Sequence, residues 1–301
     1  MNPRRFIGPI LMLLGAPVSV AALDAVQTPL LWHLEGAVPT YLFGTIHVAD
    51  PRVLSLPDTV ESAFQAADVV YTEIPLDAAV QLGMADSAML PEGDRLEEIL
   101  GPDTIERINR YLSGVAPGLT IAPLSQLKVW AVATTLQLLE SQMKHPGKAL
   151  DMELYGRADA LGKEVGGLET VAEQLELMDG LSLERQVRLL EGTLDYLEQA
   201  RVDGIDAVAD LIDAYLNGDI DRLGHTLNEY LDDPLEHANP LLERFITARN
   251  RKMAERIDKL LESDPGRRYF FAVGAGHFWG AESLPQLLRE RGYTVRREAG
   301  P

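Results

Sequence analysis

The apolar positions of this chain form two kinds of pattern, and the two are unevenly placed. Short strand-like stretches fall at 30–34, 40–43, 69–74, 164–168, 269–273 and 293–296, gathered toward the two ends. The first two flank EGAVP at 35–39 and read as a hairpin. Helical periodicity covers 57–67, 95–112, 124–143, 152–160, 171–179, 183–200, 205–217, 220–230, 240–263 and 284–291, the last stopped by Gly292. No strand pattern interrupts 171–263, which reads as a helical insertion or layer laid on the sheet. Brief strands separated by helices predict an α/β fold. The expected core is a central mixed, mostly parallel sheet formed by both ends of the chain, with a large helical layer from the middle.

The first residues follow another rule. Arg4 and Arg5 precede an apolar run over 6–20, and small residues follow at Ala21 and Ala22. That order of charge, apolar core and small residues is a secretory signal peptide. Gly8, Pro9, Gly15 and Pro17 break the run, which is short for a membrane span. The expected organisation is therefore a leader over 1–22 and one α/β domain over 23–301. Such a protein would be periplasmic or secreted, with no stable membrane insertion after cleavage; a retained anchor is the alternative. The chain has no cysteine, which excludes disulfides, a Cys nucleophile and Cys-ligated metal. Losing Arg4 and Arg5 with the leader takes the formal charge from −19 to −21. That field repels nucleic-acid phosphate and anionic lipid, leaving a peptide or small molecule as the expected substrate.

Familiar catalytic signatures are missing: there is no Gly-x-Ser-x-Gly elbow, no His-Glu-x-x-His and no phosphate-binding P-loop. VGAGHFWG at 273–280 resembles a dinucleotide loop, but Trp279 stands where close helix–strand packing needs a glycine. What remains is position. YLFGTIH at 41–47 and FFAVGAGH at 270–277 each run from an apolar strand into Gly-x-x-His. His47, Glu73, Glu169 and His277 all stand at strand ends, and ligands of open α/β sheets lie beyond the carboxyl ends of parallel strands. If those strands are parallel, two imidazoles and two carboxylates meet at one edge. Gly44 and Gly274 are expected to allow a sharp turn before each histidine. The plainer readings are a hydrogen-bonded histidine at each place, Glu73 capping a helix at Pro75, and Glu169 capping one after Thr170.

These motifs carry a resemblance. YLFGTIHVAD at 41–50, VYTEI at 70–74, GLET at 167–170 with Gln174, Arg249-Asn250, and VGAGHFWG at 273–280 are similar, in order, to the TraB/PrgY/GumN family. That family includes the TIKI metalloproteases and is similar in fold to erythromycin esterases and haem-binding ChaN lipoproteins. The resemblance implies a site centred on His47, Glu73 and His277, with Glu169 next and Arg249 and Asp151 at matching positions. It implies a hydrolase of peptide-like, amide or ester bonds, metal-assisted, with His47, Glu73 and His277 as ligands of Mn, Co, Fe or Zn. The rival is a non-enzymatic binder of a peptide, haem or other small ligand in the same cleft; an envelope assembly factor is a third class. Arg249 is expected to be the one charge of helix 240–263 that turns inward, to pair with a site carboxylate or hold an oxyanion.

Overall fold

The computed structural model describes residues 28–231 and 239–299. The signal peptide read over 1–22 lies outside the described residues.

Six strands form one sheet: β1 (Leu31–Glu35), β2 (Thr40–Thr45), β3 (Val69–Thr72), β4 (Glu164–Gly167), β5 (Tyr269–Gly274) and β6 (Thr294–Arg297), in the order β4-β3-β5-β2-β1-β6. The four neighbours β4, β3, β5 and β2 are mutually parallel, while β1 pairs antiparallel with β2 and β6. The sheet is mixed, mostly parallel and closed from both ends of the chain, as its pattern predicts. Central β5 is apolar along almost its whole length (YFFAVG) because helices cover both of its faces. Edge strand β4 (EVGG) is glycine-rich for a steric reason: a Cβ on Gly166 would lie 1.9 Å from the Tyr71 ring.

The helices run in chain order. Short α1 (Pro51–Leu54) and α2 (Asp58–Ala66) follow β2, and α3 (Ala78–Ser87), α4 (Leu96–Ile99), α5 (Pro102–Val115), α6 (Val129–Lys144) and α7 (Leu150–Ala160) separate β3 from β4. Between β4 and β5 come α8 (Val171–Asp179), α9 (Leu183–Val202), α10 (Ala207–Leu216), α11 (Ile220–Tyr230), α12 (Pro240–Leu242) and α13 (Ala248–Ser263), and α14 (Leu284–Glu290) precedes β6. No strand occurs among the described residues of 171–263. The run read as one helix over 95–112 is two, because Gly101 breaks it and Pro102 starts the next at a position that needs no N–H donor. The sheet and its flanking helices share one buried cluster, and α4, α5, α6 and α9 build a second around Ile108, Leu136 and Leu194. Among the described residues no helix is long and apolar enough to cross a membrane.

Candidate functional site

Because β4, β3, β5 and β2 are parallel neighbours, the residues that follow them leave the same edge in spatial order: Glu169, Glu73, His277, His47. Each is aimed by local bonding. Thr72 Oγ1 donates to the Ile74 carbonyl at 2.5 Å, folding a tight turn around Glu73. The β3–β4 ladder continues past the strands, with Glu169 N donating to Glu73 O at 2.6 Å, so the two carboxylates emerge side by side. Glu169 is not a helix cap: Thr170 and Glu173 cap α8 with a reciprocal capping box. Nor does Glu73 cap a helix at Pro75, since α3 starts at Ala78 and is capped by Asp77.

The glycines act differently from the expected sharp turn. Neither Gly44 nor Gly274 has positive φ. A Cβ on Gly274 would lie 2.9 Å from Glu73 Oε1, and one on Gly44 would lie 2.9 Å from Leu30 Cβ. Gly274 is small so that the Glu73 carboxylate can reach the backbone, where Gly274 N donates to Oε1 at 2.8 Å. Tyr215 Oη donates to Gly44 O at 2.9 Å and holds the end of β2.

Arg249 does turn inward. It is buried on α13 and donates through Nε and Nη2 to Glu169, through Nη2 to Glu73 Oε2, and through Nη1 to Phe245 O at 3.0 Å. Arg251 on the same helix faces out, pairing with Glu243 and Glu282 at the surface. Gln174 on α8 adds a donor to each carboxylate, 3.1 Å to Glu73 and 3.3 Å to Glu169. Of the two roles read for Arg249, the geometry favours carboxylate pairing over holding an oxyanion. Burial alone would raise Glu73, but the Arg249 guanidinium, with the charged His47, holds its carboxyl well below the usual range.

The two histidines are held in opposite states. His277 is 2 % exposed, and burial with the nearby Arg249 charge pushes its imidazole down to about 3, so it is neutral. Its Nδ1 lies 2.6 Å from Asn250 Oδ1 and its Nε2 lies 3.7 Å from Glu73 Oε1. His47 has 57 % of its side-chain surface open, and its Nδ1 is 3.2 Å from Asp151 Oδ1 on α7. Asp151 is the main cause that draws the His47 imidazole up, to about 9, so it is charged near neutrality. A cavity of about 50 Å³ opens between His47, Glu73 and Asp151 over Thr45 and Thr72. That volume holds an ion or a few waters, so a substrate must meet these groups from the open side.

The sequence-predicted ligand set is thus brought to one place but not onto one point. Glu73 and His277 face each other, while His47 turns to Asp151. Among the described residues no three His, Asp or Glu side chains are grouped closely enough to hold a metal ion. The donor chemistry nonetheless suits a divalent cation. A neutral imidazole nitrogen of His277 faces a carboxylate oxygen of Glu73, while Asp151 Oδ1 is already engaged with His47 Nδ1 at 3.2 Å. Sequence position missed the part played by Asn250, which lies beside Arg249 in the same motif, and by Gln174 at the start of α8.

A family model described as the TraB/PrgY/gumN family matches residues 30–297. The chain is similar to Metalloprotease TIKI2 of Danio rerio, 32% identical over 299 residues that cover 85% of this chain and 58% of that protein. It is 31% identical to Metalloprotease TIKI1 of Homo sapiens over 307 residues, covering 88% of this chain and 61% of the relative. It is 28% identical to the uncharacterized protein YbaP of Shigella flexneri over 267 residues, 85% of this chain and 90% of that one. The chain spans about three fifths of the length of the TIKI proteins it matches. No solved structure matches.

Proposed function

The chain belongs to the TraB/PrgY/gumN family, and from that premise we propose an exported hydrolase that cleaves peptide-like, amide or ester bonds with help from a divalent metal. The observation that carries this reading is the row of Glu169, Glu73, His277 and His47 along one edge of the parallel strands, with their charges already sorted.

His277 Nε2 and Glu73 Oε1 would hold the ion, and His47, charged through its pair with Asp151, would stay outside the ligand set. Bound there, a divalent ion would polarise the scissile carbonyl and make an attacking water more acidic. Arg249 and Gln174 keep Glu73 ionised and fixed, so its Oε1 stays a lone-pair donor at one position. His47, charged through Asp151, faces the open side and can give its proton to the departing amine or alkoxide. Two imidazoles with widely separated proton affinities are the usual assignment of acid and base roles. Here His47 is the acid, and His277 is the group that stays unprotonated.

The test begins with chelator-stripped protein titrated with Mn²⁺, Co²⁺ and Zn²⁺ by calorimetry, beside His47→Ala, His277→Ala and Glu73→Gln. A peptide and ester library is then read for turnover. We expect exchangeable binding that His277→Ala and Glu73→Gln abolish, and metal-dependent cleavage. Turnover that survives complete stripping would remove the metal and leave the histidine pair as acid and base. Ligand capture without turnover would favour the binding protein. Export is proposed from the leader pattern at 1–22: mature protein from the native host should begin at Ala22 or Leu23. An intact Met1 on a cytosolic species would end that part of the reading.

A further inference from the structure

Asn250 is 1 % exposed and sits on α13 directly behind His277. Its amide nitrogen donates to two backbone carbonyls, His277 O at 3.3 Å and Glu282 O at 2.8 Å. Carbonyls only accept, so the amide cannot be reversed without setting oxygen against oxygen twice. Oδ1 must therefore face the ring, 2.6 Å from Nδ1, and an amide oxygen has no proton to give. We infer that Asn250 is a positioning residue whose Oδ1 keeps the proton of His277 on Nδ1, so that Nε2 is the ring nitrogen whose lone pair is offered toward Glu73.

The lock is needed because a stronger acceptor competes for the same proton. Glu73 Oε1 lies 3.7 Å from Nε2, and a carboxylate accepts better than an amide. If Nε2 carried the proton, it would bond Glu73, and both lone pairs on that side of the site would be lost at once. Two features weaken the competitor: Gly274 N already donates to Oε1, and Arg249 draws on the same carboxylate. Asn250 completes the bias from the opposite side of the ring. The inference rests on the proposed reading only for its consequence, that Nε2 is the atom offered to a cation or proton.

Long-range proton–nitrogen correlation spectra of ¹⁵N-histidine-labelled, metal-free full chain test it directly, with His277 assigned by its loss in His277→Gln. The wild type should show a protonated Nδ1 and an unprotonated Nε2. In Asn250→Leu the proton should move to Nε2. Mn²⁺ affinity should fall about 10–100-fold in Asn250→Leu. A wild-type Nε2–H signal overturns the inference, and that spectrum stands even if the leucine variant fails to fold. So does Asn250→Leu keeping Nδ1–H. A tautomer that switches as described while Mn²⁺ affinity stays unchanged upholds the lock and overturns His277 as a ligand.

Discussion

Arg249 touches groups from three separate parts of the chain: Glu73 after β3, Glu169 after β4 and the Phe245 carbonyl one turn before it. Two carboxylates brought this close repel, and one guanidinium with a planar fork answers both. Removing it leaves buried negative charges without a partner, so Arg249→Met should cost about 3–5 kcal/mol in urea unfolding. Arg251→Met, on the solvent side, should leave the midpoint unchanged. Glu73 is lowered from 4.5, so its stabilising share is full above that value and is lost as pH falls below it. Wild-type stability should therefore decline on acidification, and the Arg249→Met curve should be flatter. A steep acid decline in the variant would mean that other carboxylates carry it. His47 has the opposite sign. It is raised to about 9, so the share from its pair with Asp151 is full below 6.5 and vanishes as pH rises through about 9. In Asp151→Asn the His47 ring should titrate more than one unit lower by NMR, and an unmoved midpoint would exclude Asp151 as the cause.

The π-helical turn Glu243–Thr247 joins α12 to α13 without a break, and its extra residue resets the helical phase just before Arg249. Beyond it Arg249 and Asn250 both reach the sheet edge, one to the carboxylates and the other to His277. Sequence periodicity marks a helix here but cannot register one added residue. It also misses α1 and α3; α3 buries no residue, so it has no apolar stripe to read. Strands and strand ends were legible because a parallel sheet demands apolar runs and puts chemistry at their carboxyl ends. Groups on helices were harder to find, since docking decides which face meets the sheet: Asp151 came only with the family resemblance, and the roles of Asn250 and Gln174 did not come at all. The glycines were legible as small but not as to why, and that difference is testable. Gly274→Ala pushes on a carboxylate pinned by Arg249, so turnover should fall further than its stability loss of about 1–3 kcal/mol explains. Gly44→Ala presses only on Leu30, so it should lower the melting temperature while the Glu73 and His277 contacts persist. Equal turnover losses at equal stability would show that Gly274 has no special part in the site.

Among the described residues the two larger of three buried clusters divide the labour. The sheet cluster includes the strands whose ends bear the site, and the second cluster is drawn from α4, α5, α6, α9 and the segments joining them and includes no strand residue. Polar contacts tie it to the helices nearer the site: Trp130 Nε1 donates to Asp179 Oδ1 at 2.7 Å at the end of α8, and Thr193 and Tyr230 hydroxyls meet at 3.0 Å between α9 and α11. A third, smaller cluster of Leu181, Leu189, Leu231, Phe245 and Ile246 adds an apolar joint between α9 and the helices nearer the site; because it is much smaller than the other two, the second cluster should still open as a cooperative unit of its own. Leu194 is fully buried at its centre, and Leu194→Ala should cost about 2–5 kcal/mol through lost transfer energy and the cavity left behind. Hydrogen exchange reads where that cost falls. Amides of α5, α6 and α9 should exchange faster in proportion, while β2, β3 and β5 keep wild-type protection and the His277 ring signals do not move. A uniform loss of protection across helices and sheet would instead make the molecule one cooperative unit, and the helical layer would then hold the site together as much as the strands do.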